Sequence, residues 1–331
     1  MNRSRVRFLT VSALIVFSSL LLVVLSLVSG PAYRLFSSDR ALFVSIVLEQ
    51  RLPRTVLAWT AGFLLALAGA AFQGLFRNRL ADPYITGTSS GAALGAAIAL
   101  VTGFPALGPI PGTAILASFG ALAVTLAVFA IARAAGNPAP VTALLLAGTA
   151  LSALSSSLLS LLLVIHDRDL HRVYYWILGG FSSAWYEDLY YVLPLAIIAL
   201  ACLLPMSRPL DLLSGGEDSA RSLGLSITRT RVTVLAGTSV AVAAAVSAAG
   251  VIGFVGLVAP HMARLLVGPQ HRRLMPLSAF MGAFLTLGAD LLARSVMAPA
   301  ELPLGIITSL VGAPFFLWLL VRTVRGGREG L

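Results

Sequence analysis

The sequence predicts an all-α polytopic membrane protein, a single domain over residues 1–331 with about ten transmembrane helices. Its composition is 58% apolar and only 11% charged, whereas soluble domains carry about 25% charged residues. Apolar runs recur along the whole chain, and a run of about 20 residues can cross a bilayer as a helix. Short loops containing arginine, proline or glycine separate these runs, as expected between successive spans.

The first predicted span follows the basic segment MNRSRVRF. Its apolar run exceeds the roughly 7–15 residues of a signal-peptide core, so we predict a spanning helix rather than a signal peptide. The segment GFPALGPIPG (103–112) divides an uncharged run, because proline and glycine in series end helices. The run 232–267 is too long for one span and is divided near 250–253. The predicted spans are 8–29, 55–76, 87–103, 113–132, 142–165, 189–206, 232–250, 252–267, 275–296 and 303–322.

The distribution of arginine predicts that both termini lie in the cytoplasm. All 23 basic residues are arginine, and this orientation places 16 of them inside and 7 outside. Inner loops of membrane proteins carry an excess of basic residues. Orientation therefore explains the net charge of +10, and we predict membrane lipid, but no nucleic acid, as a partner. The polar loop SGGEDSARSLG (214–224) falls in the longest inner loop.

Small residues recur at a spacing of four on two predicted spans. Gly62, Ala66, Ala70 and Gly74 form one stripe, and Gly87, Gly91 and Gly95 form another. Because small residues let helices approach closely in lipid, we predict a tightly packed bundle. The hexapeptides TVLAWT (55–60) and TVLAGT (233–238) begin spans of opposite direction, which indicates either an inverted repeat or chance similarity.

Several kinds of chemistry are excluded or disfavoured. The chain has no lysine and therefore no P-loop, and its four histidines form no recognised zinc motif. No GxSxG nucleophile elbow appears, because GTSSG (87–91) lies at the start of a predicted membrane helix; we predict neither catalytic residues nor a metal site. Asp290 is the acid well inside a span, and Arg294 follows four residues later, so we expect a local ion pair. A span without a free acid offers no ion path, and the energy for transport would then come from a partner.

The inner loop within residues 208–230 has the pattern of a short polar helix. Glu217 and Asp218 would begin it, where negative charge favours the helix dipole, and Gly224 would end it. Arg221 follows Glu217 by four residues and could form a local ion pair. Such a helix suits a groove on another protein, although a solvated connecting loop is the simpler alternative.

Eight segments together resemble one family in the order in which that family carries them. The chain resembles the permease subunit of the iron-chelate (siderophore or haem) and cobalamin class of type II ABC importers over nearly its whole length. The segments are RLPR (51–54), AGAAFQGLFRNRLADPYITGTSSGA (68–92), LLLAG (144–148), WILGG (176–180), GGEDSARSLGL (215–225), GFVGLVAPHMARLLVG (253–268), GADLLAR (288–294) and ELPLGIITSLVGAPFFLWLL (301–320).

The resemblance implies the type II importer permease fold and a set of partners. It implies a homodimer with the pathway at its interface, two ATP-binding cassette ATPase subunits, and a periplasmic or lipid-anchored substrate-binding protein. ATP and magnesium would bind to the ATPases, and this chain would bind no cofactor and catalyse no reaction. The expected location is a bacterial inner (plasma) membrane.

The resemblance also implies roles for particular residues. Arg51, Arg54 and Arg294 match arginines that receive acidic residues of the binding protein, and all three lie on the side predicted to be outer. Residues matching the segment that couples to the ATPase are Gly215, Gly216, Glu217, Asp218, Ala220, Arg221, Leu223 and Gly224.

Two inner loops match the family's cytoplasmic gate. Asn78 and Leu80 lie in the first, and the second spans 138–142 with Pro140, Val141 and Thr142. The family's usual pattern is Asn-Pro-Leu-Ala, whereas this chain has arginine at position 79. Arginine does not fix φ as proline does, which puts the geometry of the first gate loop in doubt.

The cargo is indicated only by the outer segment HDRDLHRVYYW (166–176). His166, Arg168, His171 and Arg172 could meet haem propionates or an anionic siderophore along the substrate path. The alternative is a solvated loop whose tyrosine and tryptophan residues anchor it at the interface. We therefore predict a ferric siderophore or haem as cargo, with cobalamin as the alternative. An ion-coupled secondary transporter and a membrane-embedded enzyme are the remote alternatives.

Overall fold

The computed structural model describes residues 3–29, 39–136 and 139–326, and these ranges fold almost entirely as helices. Short π- or 3₁₀-helical segments join several of the helices, namely Ile46–Arg51, Pro83–Thr86, Asp167–Asp169 and Leu204–Met206. The α-helices are α1 (Arg3–Val28), α2 (Arg40–Ser45), α3 (Leu52–Phe76), α4 (Thr88–Thr102), α5 (Gly112–Ala134), α6 (Val141–Ile165), α7 (Leu170–Leu178), α8 (Tyr186–Leu203), α9 (Ser207–Ser214), α10 (Glu217–Ser222), α11 (Ile227–Ala249), α12 (Val255–Val267), α13 (His271–Ala293) and α14 (Leu304–Gly326).

The prediction of about ten spans is confirmed. Six continuous helical segments are long and apolar enough to cross a membrane, and four shorter apolar helices lie in α1, α4, α12 and α14. Both predicted divisions occur, since α4 and α5 are separate helices and so are α11 and α12. At the second division Gly250 and Phe254 have positive φ values of 67° each, a conformation that breaks a helix.

The start of the second predicted span is wrong by more than a helical turn. The helical segment begins at Arg40, rather than at residue 55, and continues through a π-helical turn into α3. Arg51 and Arg54 interrupt the apolar pattern in the sequence. The structure accommodates both inside the helical segment because other elements supply their hydrogen-bond partners.

Helix α3 lies at the centre of the bundle and packs against α8, α11, α12 and α13. A Cβ atom at Gly62 would lie 2.4 Å from the carbonyl oxygen of Gly282 on α13, and one at Gly69 would lie 1.8 Å from that of Gly256 on α12. Gly62 belongs to the predicted small stripe, and Ala66 of that stripe also meets Gly282, whereas Gly69 lies outside it. The stripe therefore lies at a close contact with α13, and Gly69 makes a second close contact, with α12.

This central helix passes from one polar end of the bundle to the other. Arg54 near its start contacts Asp290, and Gly74 near its end contacts the His271 side chain.

The second stripe packs α4 against α5. A Cβ atom at Gly91 would lie 2.4 Å from the oxygen of Gly120, and one at Gly95 would lie 2.0 Å from that of Leu116. The segment GTSSG is therefore part of a packing helix, as predicted. The helices that contain the similar hexapeptides, α3 and α11, pack against each other, and the inverted repeat stays a prediction.

Candidate functional site

A cluster of charged side chains lies at the end of the bundle where α3 begins and α13 ends. The guanidinium of Arg54 donates from Nη2 to Asp290 Oδ1 at 2.8 Å and from Nη1 to both carboxylate oxygens of Glu301 at 2.9 Å. The side chain of Asp290 is only 1% exposed, whereas that of Glu301 is 38% exposed. Arg54 is therefore held by one buried and one accessible carboxylate.

The expected local pair between Asp290 and Arg294 is secondary. Arg294 Nε lies 3.7 Å from Asp290 Oδ2, and the better-placed partner of Asp290 is Arg54, 236 residues away in the chain. Arg294 follows the last residue of α13, and its Nη2 instead donates to the carbonyl oxygen and to Oγ of Ser26, each at 2.7 Å. The helix end turns this guanidinium toward α1.

All three predicted docking arginines are thus bonded within the chain. Arg51 is buried, and its Nη1 donates to the carbonyl oxygen of Leu27 at 2.8 Å. Together Arg51, Arg54 and Arg294 carry three positive charges against the two carboxylates, so the cluster has a net positive charge. The structure brings the three arginines to one end of the bundle, and their docking role stays a prediction.

Two cavities flank this cluster, and Arg54 and Glu301 line both. One has a volume of about 490 Å³ and also meets Arg172, and the other, of about 530 Å³, also meets Arg51 and Arg294. Their walls combine guanidinium groups with aromatic and serine side chains from the segment before α8. This end of the bundle can therefore receive acidic groups that project from another molecule.

The four residues predicted to meet the cargo are all exposed, and they are not brought together in one site. Arg172 lies on α7 and borders the first cavity with Tyr175. The His171 ring contacts the Tyr175 ring, with centroids 5.3 Å apart. His166 and Arg168 precede α7 and line neither cavity. Their role in the substrate path stays a prediction.

The predicted short helix of the inner loop is present as α10. It starts after Gly216, whose φ is 109°, and the chain turns away at Gly224, whose φ is 82°. Ala220 is fully buried and anchors the helix on the bundle. Asp218, Arg221 and the large side chain of Leu223 are exposed. An anchored helix with an exposed mixed face has the form needed for docking.

Glu217 pairs with Arg231 rather than with Arg221, which the sequence offered as one possible local partner. Glu217 Oε1 accepts a hydrogen bond from Arg231 Nη2 at 2.6 Å. Arg231 lies on α11, which returns beside α10, and its side chain is only 6% exposed. The exposed Arg221 gains little from pairing across water, whereas Arg231 needs an acceptor in its buried surroundings.

Arg231 also contacts the second predicted gate loop. Its Nη1 donates to the carbonyl oxygen of Ala139 at 2.7 Å. Pro140 directly precedes α6, Val141 and Thr142 form its first turn, and Pro138 lies outside the described residues. In the sequence Arg231 contributes only to the charge bias that predicts orientation, because no local pattern indicates its two partners.

The first predicted gate loop is shaped by side-chain hydrogen bonds instead of proline. Asn78 Oδ1 accepts from the backbone amide of Leu80 at 2.9 Å, and Asp82 Oδ1 accepts from that of Tyr84 at 2.8 Å. Tyr84 Oη donates to the carbonyl oxygen of Ile252, which ties the loop to the break between α11 and α12. Burial raises the pKa of the Asp82 carboxyl to about 6, since desolvation disfavours its charged form.

A bundle of about ten packed spans, with polar clusters at both ends of its central helix, has the architecture of a membrane transport subunit. Residues 10–322 match the FecCD transport family, and the chain belongs to that family. The resemblance to importer permeases is thereby confirmed, and the chain is a multi-pass membrane protein.

Relatives and a solved structure agree over most of the chain. The hemin transport system permease protein HmuU of Yersinia pestis is 39% identical over 320 residues, 92% of this chain and 94% of that protein. The cobalamin import system permease protein BtuC of Halobacterium salinarum is 45% identical over 270 residues, 82% of this chain and 72% of that protein. A metal-chelate type ABC transporter in an inward-facing conformation has a TM-score of 0.86 and 32% identity, covering 95% of this chain and 99% of that one.

Proposed function

We propose that this chain is the permease through which an ATP-driven importer moves a ferric siderophore or haem across a bacterial inner membrane. Cobalamin is the second candidate cargo, because a cobalamin permease is among the relatives at 45% identity. The chain itself would catalyse no reaction and bind no cofactor. ATP and magnesium would bind to the two partner ATPase subunits.

One observation carries the proposal: a positive cluster and an anchored polar helix lie at opposite ends of one rigid core. Arg54 and Asp290 meet at one end of the α3–α13 contact, and Gly74 meets His271 at the other. Helix α9, which leads into α10, is joined to that second end by the contact of Asp211 with His271. A binding protein at the first end and an ATPase at α10 would therefore act on the same packed helices.

The exposed face of α6 supports a homodimer with the pathway between its two copies. Few residues of this helix are buried, and its exposed positions alternate large apolar side chains such as Leu146 and Leu154 with the hydroxyl groups of Thr149 and Ser156. The Thr149 hydroxyl donates to the carbonyl oxygen of Leu146 in its own helix, and a second copy or a passing cargo can donate to such hydroxyl oxygens across an interface. With both termini in the cytoplasm, α10 would face the ATPases.

The experiment is uptake into proteoliposomes. The chain would be purified with its ATPase and binding protein, reconstituted, and offered labelled ferric siderophore, haem and cobalamin separately, with ATP on one side at a time. We expect uptake of one cargo only when ATP is on the ATPase side. A hydrolysis-deficient ATPase is the matched control.

Uptake by the chain alone, driven by an ion gradient and indifferent to ATP, would show a secondary transporter instead. Uptake of cobalamin alone would keep the class and change the cargo.

A further inference from the structure

A cavity of about 460 Å³ lies at the inner end of the bundle. It is formed where α3 ends, beside α9 and the connection between α12 and α13. Arg77, Arg79 and Arg264 contribute three guanidinium groups to its walls, together with Gln73, Asp211 and His271. The residues of the charged cluster around Arg54 do not line this cavity, whereas Asn78 of the first predicted gate loop and the Asp211–His271 contact border it. Anion binding here is therefore measured separately from import.

The three guanidiniums have no carboxylate partner within ion-pair distance in the part of the chain that the structure describes. Arg264 donates from Nη1 and Nη2 to the neutral Oε1 of Gln73, each at 3.0 Å. Arg77 and Arg79 are exposed at the rim. The positive charges of Arg79 and Arg264 repel each other, so an anion between them would relieve that repulsion.

The acid that lines the cavity already has partners. Asp211 Oδ1 accepts from the backbone amide of His271 at 2.7 Å and lies 2.8 Å from Nδ1 of the same residue. Three guanidiniums against this one carboxylate leave a surplus of positive charge. His271 is 5% exposed, and its Nε2 has no hydrogen-bond partner. This atom is buried against Gly74 of α3, so the donors available to a bound anion are the three guanidiniums.

We infer that this cavity binds a phosphate-bearing anion, either the headgroup of an anionic phospholipid or free phosphate. Planar guanidinium groups match the oxygens of a phosphate, and each offers several donors. Basic pockets between spans on the cytoplasmic side commonly take anionic headgroups.

The test measures binding of three soluble probes to the full chain in neutral detergent. The probes are dihexanoyl phosphatidylglycerol, dihexanoyl phosphatidylcholine and inorganic phosphate, followed by native mass spectrometry and by the shift in unfolding temperature. The variant is Arg77→Ala with Arg79→Ala, and the matched control is Arg133→Ala with Arg208→Ala. Both pairs are exposed on the predicted inner side and both remove two positive charges, but only the first lines the cavity.

We expect phosphatidylglycerol to bind the wild type and to bind the cavity variant about 25-fold more weakly, since each interfacial arginine contributes roughly fivefold in affinity. The control should stay within about twofold of the wild type by the same reasoning. Binding of phosphatidylglycerol without binding of phosphate assigns the site to lipid. Equally tight binding of inorganic phosphate assigns it to free phosphate.

Two results would overturn the inference. One is an equal response of both double variants, or binding of neither anion, because a built site must distinguish its own arginines from other surface charge. The other comes from the chain assembled with its ATPase subunits. If assembly abolishes anion binding and the cavity variant no longer assembles, the arginines form a protein contact instead.

Discussion

Replacing Arg231 by methionine should uncouple ATP hydrolysis from transport. This arginine is the one side chain among the described residues that bonds both to the proposed coupling helix, through Glu217, and to the second proposed gate loop, through Ala139. Methionine keeps much of the length and volume of the side chain but donates no hydrogen bond. Motion of α10 would then be transmitted less effectively to the second proposed gate loop.

The magnitude follows from the burial of the two contacts. A hydrogen bond to a charged group contributes about 1.5–3 kcal/mol, and removing one partner of a fully buried ion pair costs about 3–5 kcal/mol. Arg231 is 6% exposed but Glu217 is 31% exposed, so water can solvate the carboxylate that is left behind. We therefore expect a loss of about 2–4 kcal/mol in the free energy of unfolding.

The assay is the ratio of cargo imported to ATP hydrolysed in proteoliposomes containing the binding protein and the ATPase. Arg231→Met should lower this ratio at least tenfold. Arg231→Lys keeps the charge on a single donor nitrogen, where arginine uses Nη1 and Nη2, and should give a ratio between those of Arg231→Met and the wild type. Arg229→Met is the matched control, because Arg229 is an exposed arginine two residues earlier on α11. Arg231→Met could have a lower free energy of unfolding than Arg229→Met and yet the same ratio of cargo imported to ATP hydrolysed. In that case the Arg231 contacts would be structural only, and this prediction would be refuted.

Three further predictions concern the charged cluster around Arg54, the core and the first predicted gate loop. Glu301→Gln should increase the affinity for the binding protein about two- to fivefold. The partly exposed Glu301 carboxylate competes with the binding protein's acidic residues for Arg54, and its ion pair contributes at most about 1 kcal/mol. Weaker binding in surface plasmon resonance at low salt would contradict this prediction. Gly69→Ala should destabilise the chain by about 3 kcal/mol, since its Cβ would meet a backbone oxygen of α12. Gly288→Ala, whose nearest neighbour would be 3.9 Å away, should be neutral or stabilising in the same thermal unfolding assay, and equal effects would refute the packing argument. The pKa of the Asp82 carboxyl is raised from 3.8 to about 6, so the stability that this group contributes is greatest below pH 4 and is lost as pH rises to 6. Asp82→Asn should therefore remove up to about 3 kcal/mol of the change in the free energy of unfolding over this pH range. If the variant and the wild type had the same pH profile of unfolding, the shifted pKa would be excluded.

Local patterns in the sequence were sufficient for the spanning helices and for α10, but not for the short helices α2, α7 and α9. Apolar runs of about 20 residues predicted the spans, and the proline and glycine residues of 103–112 predicted the division between α4 and α5. The small stripe containing Gly62 predicted close packing, because glycine at a spacing of four lines one face of a helix. The start of the second span was the exception, since Arg51 and Arg54 break the apolar pattern that defines a span.

The choice of partner for each buried charge was decided only by the tertiary structure. The sequence suggested Arg294 for Asp290 and Arg221 for Glu217, each four residues away, whereas the partners in the structure are Arg54 and Arg231. A helix presents residues four apart on one face, but a charge surrounded by apolar helices is stabilised most by the donor that reaches it with good geometry and little water. Arg54 is 236 residues from Asp290 in the chain, and Arg264 is 191 from Gln73. Short-range patterns carry no information about such contacts, because they arise only when separate spans pack side by side.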